Sequence, residues 1–460
     1  MSSTRERLER LYGTRKRVGA PENGALKRLE SELLGAAAAT TSELSLKERL
    51  ERLVAVAQTR PARALAPERP VARREAVSLD AALRDGKETR NDLGSFFCLD
   101  RYFPLEHRHG RIELDRLLRI PRESFSVLAR GSDGAEIDLE RALFLDTETT
   151  GLAGGSGTYA FLIGLGFVED GAFVLRQLFM RDYREEAAML RAFHEIASRF
   201  ELLVSYNGKS FDVPLLETRF VLTRQRVTLE EKLHFDLLHP ARSLWKARFE
   251  SCRLSELEQW LLGIEREQDV PGHLIPDIYF RFVRTGDAAQ LPYVFEHNAQ
   301  DILSLAALTV SASDMLDEEN LPENPVDDFS LGRLFERVSN EERSILHYGR
   351  AVEAGLEGAA RRRSLRGLAE LHKRRGEVER ARELWEELAR EDGLESVLAL
   401  HELAMHFEHR VRDYGSALAM CASAIERLEG GFELPPGSRE RWREAFHHRT
   451  ARLTRRIQKL

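Results

Sequence analysis

The chain has 460 residues, 42% hydrophobic and 32% charged, with a formal net charge of −7. That length suits two or three domains, and that composition excludes wholesale disorder. The acidic balance argues against a generic polyanion binder while leaving room for a local basic groove.

Residues 1–90, rich in Arg, Ala and Glu, contain "TRPARALAPERPVARREA", whose prolines disfavour regular structure. This stretch is expected to be a charged, partly helical or disordered arm. The opening "MSSTRERLERLYG" lacks the apolar segment of a secretory signal, and the mid-chain run "YAFLIGLGFV" is too short to span a bilayer. Cys98, Cys252 and Cys421 are too scattered for a disulfide framework or a zinc site. A cytoplasmic protein of a reducing compartment, with no membrane partner, is expected.

Residues 91–140 form a β-rich segment leading into the core. In it "RHGRIELDRLL" and "FSVLARGSDGAEIDLERALFLDTE" read as strands with a Gly-Ser-Asp-Gly turn. "YAFLIGLGFVEDGAFVLRQLFM" predicts a hairpin turning at "EDGA", and "REEAAMLRAFHEIASRF" has the helical period. "ELLVSYNG" reads as a buried strand ending in Asn-Gly. Over 141–315 the pattern is α/β: a mixed central sheet flanked by helices.

From 325 to 430 the chain turns all-α and self-similar at roughly the tetratricopeptide period. Gly332, Ala369 and Ala404 take the small position of each first helix, and Ser344, Ala381 and Ala417 that of each second. Tyr348, Trp385 and Cys421 follow one turn later. These segments resemble tetratricopeptide repeats, and 431–460 predicts a basic C-terminal helix.

"RALFLDTETTGL" places Asp146 and Glu148 two apart at a strand end. Residues two apart share a face of a strand, so the two acids converge, and a cation such as Mg²⁺ or Mn²⁺ between them relieves their repulsion. In "LLVSYNGKSFDVPLL" Asn207-Gly208 turns the chain and Ser210 caps the following helix. Asp212 then stands near that helix's N-terminus, where the dipole favours a carboxylate. Asn207 and Lys209 flank it within reach of a phosphate. In "LPYVFEHNAQDILSLAAL" His297 and Asp301 lie four apart on one helical face. Arg242, Lys246, Arg248 and Arg253 form a basic cluster suited to phosphate contacts. Asp236, His234, His239, His107 and His109 are read as structural, and Tyr293 as packing.

The order of these motifs resembles the DEDD superfamily of 3′→5′ exonucleases on the ribonuclease H-like fold. The segments "GLAGGSGTYAFLIGLG", "SYNGKSFDVPLL", "FDLLHPARSLWK", "SCRLSELEQWLLG", "DVPGHLIPDIYF" and "HNAQDILSLAAL" look more closely like the YprB-type ribonuclease H-like family, whose members often carry tetratricopeptide repeats downstream. The resemblance implies that Asp146, Glu148, Asp212 and Asp301 hold two divalent ions, Mg²⁺ or Mn²⁺. It implies that His297 orients or deprotonates the attacking water, and that nucleic acid is the substrate. His297 departs from the superfamily pattern: it stands four residues before the last acid, where one subclass has tyrosine and the other has histidine five before. Two alternatives stay open. One is a non-catalytic nucleic-acid-binding scaffold that meets a protein partner through its repeats, and the other is a structure-specific endonuclease on the same fold.

Overall fold

A seven-stranded mixed sheet in the order β1-β2-β7-β6-β5-β8-β9 organises the N-terminal half of the described chain. The computed structural model describes residues 76–129, 139–151, 157–226, 229, 231–266, 269–319, 321–430 and 437–459. Most of the expected arm lies outside the described residues.

The strands are β1 (Lys87–Asn91), β2 (Gly94–Pro104), β5 (Ala142–Thr149), β6 (Ala160–Glu169), β7 (Ala172–Phe179), β8 (Leu202–Ser205) and β9 (Leu233–Asp236). Two-residue strands β3 (Arg108–His109) and β4 (Ile112–Glu113) pair separately. β5, β6 and β7 form an antiparallel meander, and β8 and β9 continue it in parallel with β5. The β6–β7 hairpin turns on Asp170 and Gly171, both at positive φ (50° and 76°), the geometry of the tight turn that Asp-Gly favours. β1 and β2 extend this sheet through β7, so residues from 87 onward are part of the sheet itself.

Two strand assignments need correction. In "RHGRIELDRLL" only Arg108–His109 and Ile112–Glu113 are strands, and Leu114–Arg119 is a 3₁₀ helix whose Leu114 and Leu117, three apart, are both buried. "RESFSVL" is a helix, α2 (Arg122–Leu128), which follows the short α1 (Leu79–Ala82). Phe125 and Leu128, three apart, are both buried, which is the helical and not the strand period. The intended Gly-Ser-Asp-Gly turn lies outside the described residues.

Helices cover both sheet faces. On one side, α3 (Glu186–Ala197), α4 (Asp212–Leu222) and α7 (Ile275–Thr285) pack onto Leu143, Leu145, Phe161 and Ile163. On the other, α5 (Leu238–Trp245) and much of α8 (Leu291–Asp314) cover Ala142, Phe144 and Val204. Between α5 and α7 lie α6 (Leu254–Leu257) and a π-helical turn, Glu258–Leu262.

The C-terminal helices are α9 (Pro325–Arg337), α10 (Glu341–Glu353), α11 (Gly358–Arg374), α12 (Val378–Leu388), α13 (Leu394–His406), α14 (Tyr414–Glu429) and α15 (Ser438–Ile457), each packed on the next or on its close neighbour. At Gly332 a Cβ would stand 2.5 Å from the Tyr348 ring, so glycine lets α9 and α10 close on each other there. Leu331, Leu334 and Phe335 of α9 join the same hydrophobic cluster as α5 and α8, and Arg248 pairs with Asp327 at 2.5 Å. Among the described residues no helix is long and apolar enough to cross a membrane, and the three cysteines are free and buried.

Candidate active site

Along β5, Leu143 and Leu145 enter one core and Ala142 and Phe144 the other. By strand alternation Asp146 and Glu148 continue the second face, the one crossed by α8. Glycine makes that crossing close. Gly164 of β6 pairs in register with Asp146, and a Cβ there would lie 2.2 Å from Asn298 Oδ1. Gly166 likewise makes room for Ile302. Asn298 donates to Asp146 Oδ2 at 2.8 Å, and its own oxygen accepts from Gln177 at 2.9 Å.

Asp212 is the first residue of α4, and its Oδ1 accepts the Thr147 hydroxyl at 2.5 Å. Ser210 does not cap this helix. Phe211 occupies the cap position without a side-chain bond, and backbone carbonyls of the turn serve the first-turn N–H groups, Gly208 to Val213 (3.0 Å) and Phe211 to Leu215 (3.1 Å). Asp236 ties down that turn by accepting the backbone N–H of Asn207 (2.7 Å), Lys209 (3.1 Å) and Leu238 (3.1 Å). It therefore has the structural role expected of it. Asn207 takes the left-handed conformation, φ 65°, that Asn tolerates in such turns.

The acids disfavour one another's charge. Burial, then Asp301, Glu148 and Asp212, push Asp146 well above the ordinary carboxylate range, against the Asn298 hydrogen bond. Glu148 rises to about 8 through burial, with His297 opposing and Asp301 and Asp212 adding. Asp212 rises to about 6, chiefly by burial, although Thr147 holds it down. Buried carboxylates in this state take up either protons or cations.

The donor set is all carboxylate oxygen, which suits hard divalent ions such as Mg²⁺ and Mn²⁺. Among the described residues no three His, Cys, Asp or Glu side chains stand as a ready metal-ligand group. Asn298, Thr147 and Arg266 instead bond oxygens of Asp146, Asp212 and Asp301. The chemistry fits a metal, and the hydrogen bonds from Asn298, Thr147 and Arg266 engage oxygens that it would take.

His297 lies on α8 one turn before Asp301. Its Nε2 is 3.7 Å from Asp301 and 4.0 Å from Glu148, and its Nδ1 is 2.7 Å from Asp269. Burial lowers its basicity, but Asp301, Glu148 and Asp269 outweigh burial and raise its pKa above the ordinary histidine value. Arg266 closes this side of the site. It grips the buried Glu258 with two bonds of 2.6 Å, donates to Asp301, and lies 3.4 Å from Asp269.

The expected phosphate-binding residues separate. Asn207, Arg242 and Lys246 line one groove of about 530 Å³, with Tyr206, Glu250 and Arg253. Lys209 lines a different cavity, with Pro214, Lys232 and His234. Arg248 is committed to Asp327. Exposed Trp260 stacks on Phe249 (6.1 Å, 16°), next in sequence to Glu250 of the groove. Tyr293 is exposed and does not pack as expected. His109 is buried and His234 half-buried; they bond to Ser304 and Ser205, and desolvation lowers each pKa to about 4.

Asn298, Thr147, Glu258, Arg266 and Asp269 were not legible as site residues. Asn298 adjoins His297 in "HNAQD", where a polar residue on the inward face of an otherwise apolar helix is the signal that finds it. Arg266 and Asp269 come from an irregular link and carry no periodic signature.

A sequence profile described as the RNase H superfamily matches residues 143–313. The Bacillus subtilis (strain 168) protein YprB is 34% identical over 369 residues, covering 78% of this chain and 86% of its own length. A family B DNA polymerase structure from the hyperthermophilic archaeon Pyrobaculum calidifontis is 16% identical, covering 45% of this chain and 29% of the polymerase, with a TM-score of 0.32, too low to carry an argument. Superfamily membership points toward nuclease chemistry, and enzymes of this kind generally use divalent metals. On the extent of its match to YprB and the RNase H profile across its sheet, this chain belongs to the YprB family within the RNase H superfamily.

Proposed function

We propose that this protein is a 3′→5′ exonuclease of the DEDD type, acting on DNA or RNA. The observation that carries the reading is the convergence of four carboxylates from β5, α4 and α8, three of them with raised pKa values, beside an imidazole one turn from the last acid. Asp146, Glu148, Asp212 and Asp301 would hold two divalent ions, Mg²⁺ or Mn²⁺. When bound, such ions neutralise charge on the scissile phosphate and the leaving oxygen.

The chain's own residues do the rest. His297 Nε2, facing Glu148 and Asp301, takes the proton of the attacking water. Asn207, Arg242 and Lys246 hold the phosphates of the substrate strand in the groove beside the Asn207–Gly208 turn, and Lys209 does so from that turn's other side. Gly208, next in sequence to the groove residue Asn207, lies beside Asp212: a Cβ there would stand 3.3 Å from Asp212 Oδ2. The tetratricopeptide-like helices serve as a platform for a protein partner or for positioning substrate.

The polarity is tested with 5′-labelled single- and double-stranded DNA and RNA, Mn²⁺ or Mg²⁺, and 3′ ends left free or blocked. Metal-dependent laddering from free 3′ ends alone is expected. Cutting that ignores the block overturns the exonuclease reading in favour of an endonuclease, and binding without cleavage overturns it in favour of a scaffold.

A further inference from the structure

We propose that Asp269 is the positioning residue for His297: its carboxylate accepts the Nδ1–H hydrogen bond, holding the proton on Nδ1 and so leaving Nε2 bare, aimed between Glu148 and Asp301. The inference rests on the reading of His297 as the base and adds the device that fixes its proton.

Two groups approach Nδ1. Asp269 Oδ1 stands at 2.7 Å and Arg266 Nη1 at 3.3 Å. A guanidinium only donates and an ionised carboxylate only accepts, so the two neighbours demand opposite tautomers. Were Nδ1 to accept from Arg266, its lone pair would face the Asp269 oxygen at 2.7 Å, and the proton would move to Nε2. The shorter contact with the charged acceptor decides for Nδ1–H, a charge-assisted hydrogen bond.

Asp269 is itself held in place. Its other oxygen lies 3.4 Å from Arg266 Nη1, and Arg266 is fixed by the two-bond grip of Glu258, which is fully buried in the π-helical turn. Single π turns inside helices recur at functional sites. Here the turn carries the anchor inward on Glu258 while Trp260 points out to solvent. Arg266 also bonds Asp301, so one guanidinium sets the imidazole's partner and the last acid together. An imidazole at this position is useful as a base only with Nε2 unprotonated, and Asp269 supplies that condition from a separate stretch of chain.

The test is Asp269→Asn. The amide is the same size but can donate to Nδ1, which moves the proton to Nε2. In the Ser-His-Asp triad the corresponding exchange costs about 10⁴ in kcat through the wrong tautomer. Here a fall in kcat of ~10²-fold or more is expected, with KM and Mn²⁺ affinity by calorimetry within about twofold of wild type. Asp269→Glu, which keeps the acceptor, recovers part of the loss.

The independent readout is ¹⁵N NMR of histidine-labelled, metal-free protein at alkaline pH, where the ring is neutral, with His297→Gln used to assign the signal. Wild type shows His297 protonated at Nδ1, and Asp269→Asn shifts it toward Nε2. Protonation at Nε2 in wild type, or an unchanged kcat in folded Asp269→Asn, overturns the proposal. The tautomer is read without any cleavage, so failure of the nuclease reading and failure of this one are separable.

Discussion

Asn298 binds Asp146 at 2.8 Å directly above Gly164, the residue that pairs with Asp146 across the sheet. The first acid is thus oriented by a helix that approaches only because the opposing strand has no side chain at that point. Gly164→Ala would set a Cβ 2.2 Å from the Asn298 oxygen, and overpacking of this kind costs about 1–3 kcal/mol. Reduced stability in denaturant melts is expected, together with a loss of cleavage larger than the melt alone explains. A variant with wild-type stability would contradict the close approach.

The raised carboxylate pKa values predict an inverted pH dependence for the metal-free protein. Glu148 has a folded value of about 8 against an ordinary 4.5, and Asp212 about 6 against 3.8. Between those limits the folded state keeps protons that the unfolded chain releases, so stability falls as pH rises. A divalent ion that binds only the folded, deprotonated acids reverses the penalty. Thermal melts with EDTA should show a Tm contribution from the site that declines from acid pH toward pH 8. Mn²⁺ should raise Tm more at pH 8 than at pH 5. Equal metal-induced shifts at both pH values would contradict the assignment.

The groove makes a prediction that is independent of the chemistry. Arg242 and Arg253 make no ion pair among the described residues, and Lys246 bonds only the Glu250 carbonyl. Replacing both Arg242 and Lys246 with Ala should weaken binding of any nucleic-acid sequence and reduce the slope of log K against log salt by about 2. Filter binding across a salt series checks this. An unchanged slope would move the phosphate path elsewhere.

Helix α9 belongs energetically to the core of the sheet domain. Leu331 and Leu334 are buried in the cluster that holds α5 and α8. Leu334→Ala should cost about 2–5 kcal/mol, as buried leucine truncations do, and the loss should be felt at β5 and α8. Hydrogen exchange of α8 amides checks it. A loss confined to α10–α14 would mean that the C-terminal helices fold independently.

Much of the fold was legible because its signals are local. The Asp-Gly hairpin, the apolar run of β8 and the period of α3 each carry their own instruction. Helix α2 was missed because it is only seven residues long and gives a single helical pair, Phe125 and Leu128. Asp146, Glu148, Asp212, His297 and Asp301 were read from the order and contexts of three motifs, each weak alone, together with the family they resemble. Asn298 hid in the same helix because Asn is unremarkable on a surface, although its spacing from Leu291, Val294 and Phe295 puts it on the buried face. Arg266 and Asp269 come from a link whose charges carry no period, so their meeting with His297 depends on tertiary structure alone. The basic cluster was half legible: sequence proximity gathered Arg242, Lys246 and Arg248, but packing of α9 took Arg248 out of the groove.

The most direct test of the central claim is cleavage by Asp146→Ala beside wild type, with Mn²⁺ and a 5′-labelled substrate bearing a free 3′ end. Circular dichroism confirms that both are folded. A bound metal supplies several kcal/mol of transition-state stabilisation, and ~4 kcal/mol is roughly a thousandfold in rate. The account predicts a loss of about that size in a folded protein that still binds nucleic acid. A loss of only about twofold would mean that the four carboxylates are not the reaction centre.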